Sequence, residues 1–156
     1  MAMTGEVETM RVQRALIDSL YTESMLLADE ARAYFDVVGR EQRDMLGAMD
    51  RVIFSCESLK VTTRLMHSIA WLLTQRAVAA GEIGLGEARH PSRRLGEAPV
   101  TDAAALDAMP VGAQHLIAAS IDLHRRIARL DAMQDDDVAV PVSPARTMLD
   151  RLSHAF

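Results

Sequence analysis

The chain has 156 residues, 49% of them hydrophobic but only 4% aromatic, with a net charge of −5 and one cysteine. That length suits a single domain with one core, and ten methionines against three phenylalanines describe helix packing better than sheets. A lone cysteine excludes an intramolecular disulfide, no apolar run approaches the ~20 residues that cross a bilayer, and the acidic balance disfavours wholesale binding to nucleic acid or anionic lipid. The opening Met-Ala-Met-Thr-Gly-Glu lacks a basic segment followed by an apolar run, so a cytoplasmic protein is expected.

The first helix is predicted over roughly 8–38, from Met10, Ile17, Leu20, Leu27, Ala31, Tyr34 and Val38 at alternating three- and four-residue steps with Gln13 and Ser24. Leu16, Ala28 and Phe35 widen this stripe toward more than one neighbour. Gly39 is expected to close the helix in the left-handed conformation. A second helix, roughly 41–80, carries the cleanest pattern of the chain: Met45, Met49, Val52, Cys56, Leu59, Thr63, Met66, Ala70, Leu73, Ala77 and Ala80. Such 4–3 spacing is a coiled-coil seam, expected to form the core, and no Gly or Pro interrupts Ala48 to Ala80. Leu65, Ile69, Trp71, Leu72 and Val78 lie off the stripe, more apolar surface than two small partners would cover. Self-association is the expected outlet, with Leu65, Ile69 and Leu72 as contacts.

Gly81 to Pro99 reads as a surface loop bearing Arg89, Arg93 and Arg94, candidate contacts for an acidic partner. Thr101 to Met109 is a possible short capped turn. Pro110 suits the first turn of a third helix, roughly 110–134, with Ala113, Leu116, Ser120, Leu123, Ile127 and Leu130 on its seam. Asp135, Asp136 and Asp137 oppose the helix dipole, are expected to end that helix, and form a second candidate contact. Ser143-Pro144 then opens a short terminal helix, roughly 144–154, with Met148, Leu149, Leu152 and Phe156 on one face. The expected architecture is one all-α domain over 1–156: an antiparallel three-helix bundle with a long loop, 81–109, before helix three and a short C-terminal helix.

Chemistry is sparse. Cys56, inside the seam, reads as a small buried hydrophobe. Glu87 and His90 have the spacing of a bundle di-metal site, but it occurs once and in a loop. His67, His115 and His124 form no ligand pair, and Gly81-Glu-Ile-Gly-Leu-Gly follows a helix, whereas phosphate loops follow a strand. Arg125, Arg126 and Arg129 read as a solvated basic face. No catalytic residue, metal or cofactor is assigned. Glu23 and Arg64, both beside apolar stripes, are expected to pair across helices one and two.

Glu57-Ser-Leu-Lys-Val-Thr-Thr-Arg-Leu-Met-His-Ser-Ile-Ala-Trp-Leu-Leu-Thr-Gln-Arg-Ala-Val, together with Tyr21-Thr-Glu-Ser-Met, Ala33-Tyr-Phe and Arg126-Ile-Ala-Arg-Leu-Asp, resembles the signature of a small alphaproteobacterial family, DUF1465. The likeness spans about Leu16 to Met133, with Glu23, Arg64, Trp71, Gln75, Arg76 and Asp131 at signature positions. The resemblance implies a three-helix bundle that forms a homodimer and a non-enzymatic adaptor role in cell-cycle proteolysis by ClpXP, with the protease or its regulators as partners. The competing expectations are a ligand-binding or enzymatic bundle, which needs a polar concave pocket, and a weak nucleic-acid-binding regulator, which needs the basic residues on one face.

Overall fold

The computed structural model describes residues 2–138; the expected terminal helix at 144–154 lies outside the described residues. Every regular element among them is helical. Helix α1 (Ala2–Ala33) passes through a π-helical turn (Tyr34–Val38) into α2 (Gly39–Asp44), and α3 (Ala48–Ala79) follows after a break at Met45–Gly47. Short α4 (Leu85–Ala88), a 3₁₀ turn (Pro91–Arg93) and α5 (Ala103–Asp107) lead to the long α6 (Val111–Val138).

Gly39 does not close the first helix. It is right-handed, with φ −61° and ψ −35°, and buried, so the rod continues to Asp44. Gly81 does close α3: it has φ +76°, its N–H bonds Val78 O at 3.1 Å, and the N–H of Glu82 bonds Ala77 O at 2.9 Å. Only glycine adopts that conformation without strain. The acidic run does not end the third long helix, which continues to Val138.

Side-chain pairs fix the directions. Between α1 and α3 partner numbers run oppositely, from Arg76–Asp18 at 3.4 Å to Phe54–Phe35 with ring centres 5.6 Å apart, so the two are antiparallel. Between α3 and α6 they rise together, through Arg64–Ser120, Trp71–Asp131 and Gln75–Gln134. Helix α6 is therefore parallel to α3, where an antiparallel helix was expected. The connection 80–110 makes this possible, since that many residues can return along the full length of α3.

The core draws Ile17, Leu20, Leu27 and Ala31 from α1, Phe54, Val61, Leu65, Trp71 and Leu72 from α3, and Leu116, Ile117, Leu123 and Ile127 from α6. Each such large aliphatic side chain removed from water contributes roughly 1.5–3 kcal/mol. Helix α3 thus faces the opposite way from the expectation. Val61 and Leu72 are 0% exposed, whereas the seam residues Leu59 and Met66 are 67% and 64% exposed, and Cys56 is exposed as well. Two residues along a helix amount to about 200° around it, so Phe54 and Cys56 point to opposite sides.

Candidate interaction surfaces

The polar residues on the buried side of α3 explain that orientation. Glu57, Arg64 and Ser68 interrupt its apolar pattern, and all three are buried. The Arg64 guanidinium donates to Ser120 Oγ of α6 at 3.3 Å, to the Pro99 carbonyl at 2.9 Å and to Thr101 Oγ1 at 2.6 Å. Thr101 Oγ1 donates onward to Glu57 Oε2 at 2.7 Å, and Lys60 Nζ bridges Glu57 Oε1 at 2.9 Å and the Val100 carbonyl at 2.7 Å. Burial lowers the pKa of Arg64, and the Glu57 carboxylate pulls it back up. Charges can be buried on this face because each finds a partner.

The same contacts tie down the returning chain. Residues 94–101 form a strap against α3 and α6, with the Gly96 carbonyl accepting from His124 Nε2 and the Glu97 carbonyl from His67 Nδ1, both at 2.9 Å. At its start Arg94 forks onto two carboxylates of α6, with Nε to Asp131 Oδ1 at 2.8 Å and Nη1 to Asp135 Oδ1 at 2.7 Å. Trp71 Nε1 donates to that same Asp131 oxygen at 2.9 Å. The fork raises the Arg94 pKa further above its ordinary range and holds the Asp135 carboxyl below its own.

This geometry reassigns several expected contacts. Arg64 is linked to Glu57 through Thr101, while Glu23 is bonded by Arg126 of α6, so the expected Glu23–Arg64 pair does not form. Leu65 and Leu72 belong to the core and cannot meet a partner; Ile69 is half-buried. Arg94 and Asp135 neutralise each other, and Arg93 pairs with Glu87 at 3.2 Å. Arg89 is half-buried; Asp136 and Asp137 belong to α6, but their side chains lie outside the description. Arg76 lies 4.4 Å over the Tyr21 ring and beside Asp18, and Gln75 Oε1 accepts from Gln134 Nε2 at 2.8 Å. The signature side chains Arg64, Trp71, Gln75 and Asp131 therefore hold α3, the strap and α6 together. Sequence reasoning missed Glu57, Lys60, Thr101 and Ser120. Glu57 and Arg64 are one heptad apart, a spacing that puts both charges on the same side of the helix as Val61 and Leu65.

The stripe read as the core is instead an exposed apolar surface. Met49, Val52, Leu59, Met66 and Leu73 run down the exposed side of α3, with Cys56 among them and Met45 exposed in the break before it. From Met49 to Leu73 they span about 36 Å at 1.5 Å per residue. Its N-terminal end borders a shallow depression between Arg43, Arg51, Val52, Cys56 and Leu59. An exposed apolar stripe of this kind is a candidate contact surface. Among the described residues no helix is long and apolar enough to cross a membrane.

The family model described as "Protein of unknown function (DUF1465)" matches residues 8–156. The crystal structure of RcdA from Caulobacter crescentus CB15 is similar at 32% identity and a TM-score of 0.63, over 76% of this chain and 90% of that one. No curated protein matches.

Proposed function

The chain belongs to the DUF1465 family, and from that premise we propose that it is a non-catalytic adaptor acting in regulated proteolysis by ClpXP. The likeness to RcdA, the regulator of CtrA degradation, supports the biological setting. The single observation that carries the reading is the exposed 4–3 stripe of α3. It presents knobs and holes to another helix and offers contact area to a partner. Its simplest occupant is the same stripe of a second copy, which pairs the two protomers about a two-fold axis and makes the adaptor a homodimer.

Capture of the tagged full-length protein from native cells, with ClpX and response regulators probed by name, tests the role. Recovery with the wild type and loss with a Leu59→Glu, Met66→Glu chain is expected; recovery of neither partner overturns the adaptor reading. Sedimentation velocity tests the dimer separately, since a wild-type monomer at micromolar concentration removes it while leaving the adaptor role testable.

A further inference from the structure

A second surface lies between α1 and α6. Helix α3 packs its buried face on both of them, so this surface and the exposed stripe of α3 lie on opposite sides of the bundle. The pairs Glu23–Arg126 and Glu30–His115 set the two helices antiparallel. Where α6 presents only Ala119 beside Leu26 and Leu27 of α1, the helices leave an open groove. Leu27 is buried and forms its floor, while Leu26 is 65% exposed on its wall. The rim is acidic: Glu23 and Glu30 stand on the α1 side and Asp122 on the α6 side, with Arg126 the cation among the lining residues. That cation is already spent. Its Nη1 and Nη2 bond both oxygens of Glu23, and its Nε donates to Asp122 Oδ2 at 3.0 Å. Glu30 meets the His115 ring at 3.6 Å, and both of these side chains are more than half exposed. An acidic partner would therefore find carboxylates and no lining cation to receive it, whereas a basic partner gains Glu30 and the second oxygen of Asp122.

We propose that this groove binds a basic amphipathic helix of another protein, with the apolar face on Leu26, Leu27 and Ala119 and the lysines or arginines on Glu30 and Asp122. From Ser19 to Glu30 the lined part runs about 17 Å, or about three turns of helix. An open trough buries too little of a small molecule to hold it, but a helix lying along it covers the whole lining. Glu23 and Glu30 flank Leu26 one turn away on either side, so the fitting helix carries an apolar anchor with basic residues a turn from it. A second copy of this chain is a poor occupant, since its net charge of −5 is repelled by an acidic groove. Because the stripe of α3 faces the other way, both surfaces can be filled at once.

The test uses the full chain and two stapled synthetic helices, one of leucine and lysine with leucine along one face, the other with glutamate in place of lysine. In amide NMR the lysine helix is expected to shift residues 19–30 and 115–126, and the glutamate helix to shift neither stretch. Fluorescence titration of the lysine helix should show Glu30→Lys weakening binding about tenfold and Leu26→Ser weakening it as well, while Leu59→Ser with Met66→Ser on α3 changes it little. Shifts centred on α3, equal binding of the two helices, no binding, or an affinity that Glu30→Lys leaves unchanged would each overturn the proposal. Neither readout involves ClpX, so this site and the adaptor role can fail independently.

Discussion

The two faces of α3 contrast in a way that composition alone would misjudge. The face carrying Glu57, Arg64 and Ser68 is the buried one, and the face carrying Met49, Leu59 and Met66 is the exposed one. Charged residues enter a core when the chain supplies their partners, and here the strap and α6 supply them to Glu57 and Arg64 through Thr101, Pro99 and Ser120. Among the described residues nothing reaches the apolar stripe on the other face. Purity of an apolar stripe is thus a sign of helix pairing, but it does not say whether the partner is the same molecule.

The largest test of this contrast is Arg64→Ala, which takes the buried donor away from Ser120 Oγ, the Pro99 carbonyl and Thr101 Oγ1. A loss of about 3 kcal/mol is expected in urea titration, because three acceptors lose their donor, and Arg64→Lys, which keeps a charged donor, should cost markedly less. A matched pair of leucines comes next. Leu72→Ala should cost about 3 kcal/mol through the cavity it leaves, while Leu59→Ala on the other face should stay within about 0.5 kcal/mol for the isolated protomer. Equal costs would mean that the faces are misassigned. Gly96→Ala should lower the melting temperature by an amount corresponding to about 2 kcal/mol, because its Cβ would lie 2.6 Å from His67 Nδ1 and push the strap off α3.

The smallest effect concerns acid. Asp135 is held below its ordinary pKa of 3.8, chiefly by the hydrogen bond from Arg94, so this contact adds stability above that value and loses it as pH falls through the lowered one. Between pH 5 and 3 the wild-type melting temperature should therefore fall slightly more than that of Asp135→Asn. Parallel curves would show that the fork does not stabilise the folded state.

Much of the fold was legible because its signals are local. Helix periodicity, the Gly81 stop and Pro110 at the start of α6 each depend on a few neighbouring residues. The orientation of α3 was not legible, because its two faces both repeat every seven residues and only contacts made by residues 94–131 distinguish them. The direction of α6 was hidden for a similar reason: a long connection permits either sense, and the strap's hydrogen bonds choose one. Signature residues were visible as a string, yet their role as strap anchors depended on groups 37 to 60 residues away, as in Arg64–Thr101 and Trp71–Asp131. Gly39 misled because its small size serves close packing, with Phe54 only 3.4 Å from where a Cβ would stand.

The strap also orders events in time. Helices α1 and α3 are joined by a short break, whereas the contacts that seat α6 close loops of 56 residues at Arg64–Ser120 and 103 at Glu23–Arg126. The α1–α3 hairpin can begin at Phe35–Phe54, 19 residues apart, and zip from there toward Asp18–Arg76, so it is expected to precede the docking of strap and α6. Reversed, the same hierarchy makes strap and α6 a single cooperative unit, since Arg94, His124 and Asp131 bind the two together. Native-state hydrogen exchange should then show strap-facing amides of α6 opening together, below the global unfolding energy, while the α1–α3 hairpin remains closed.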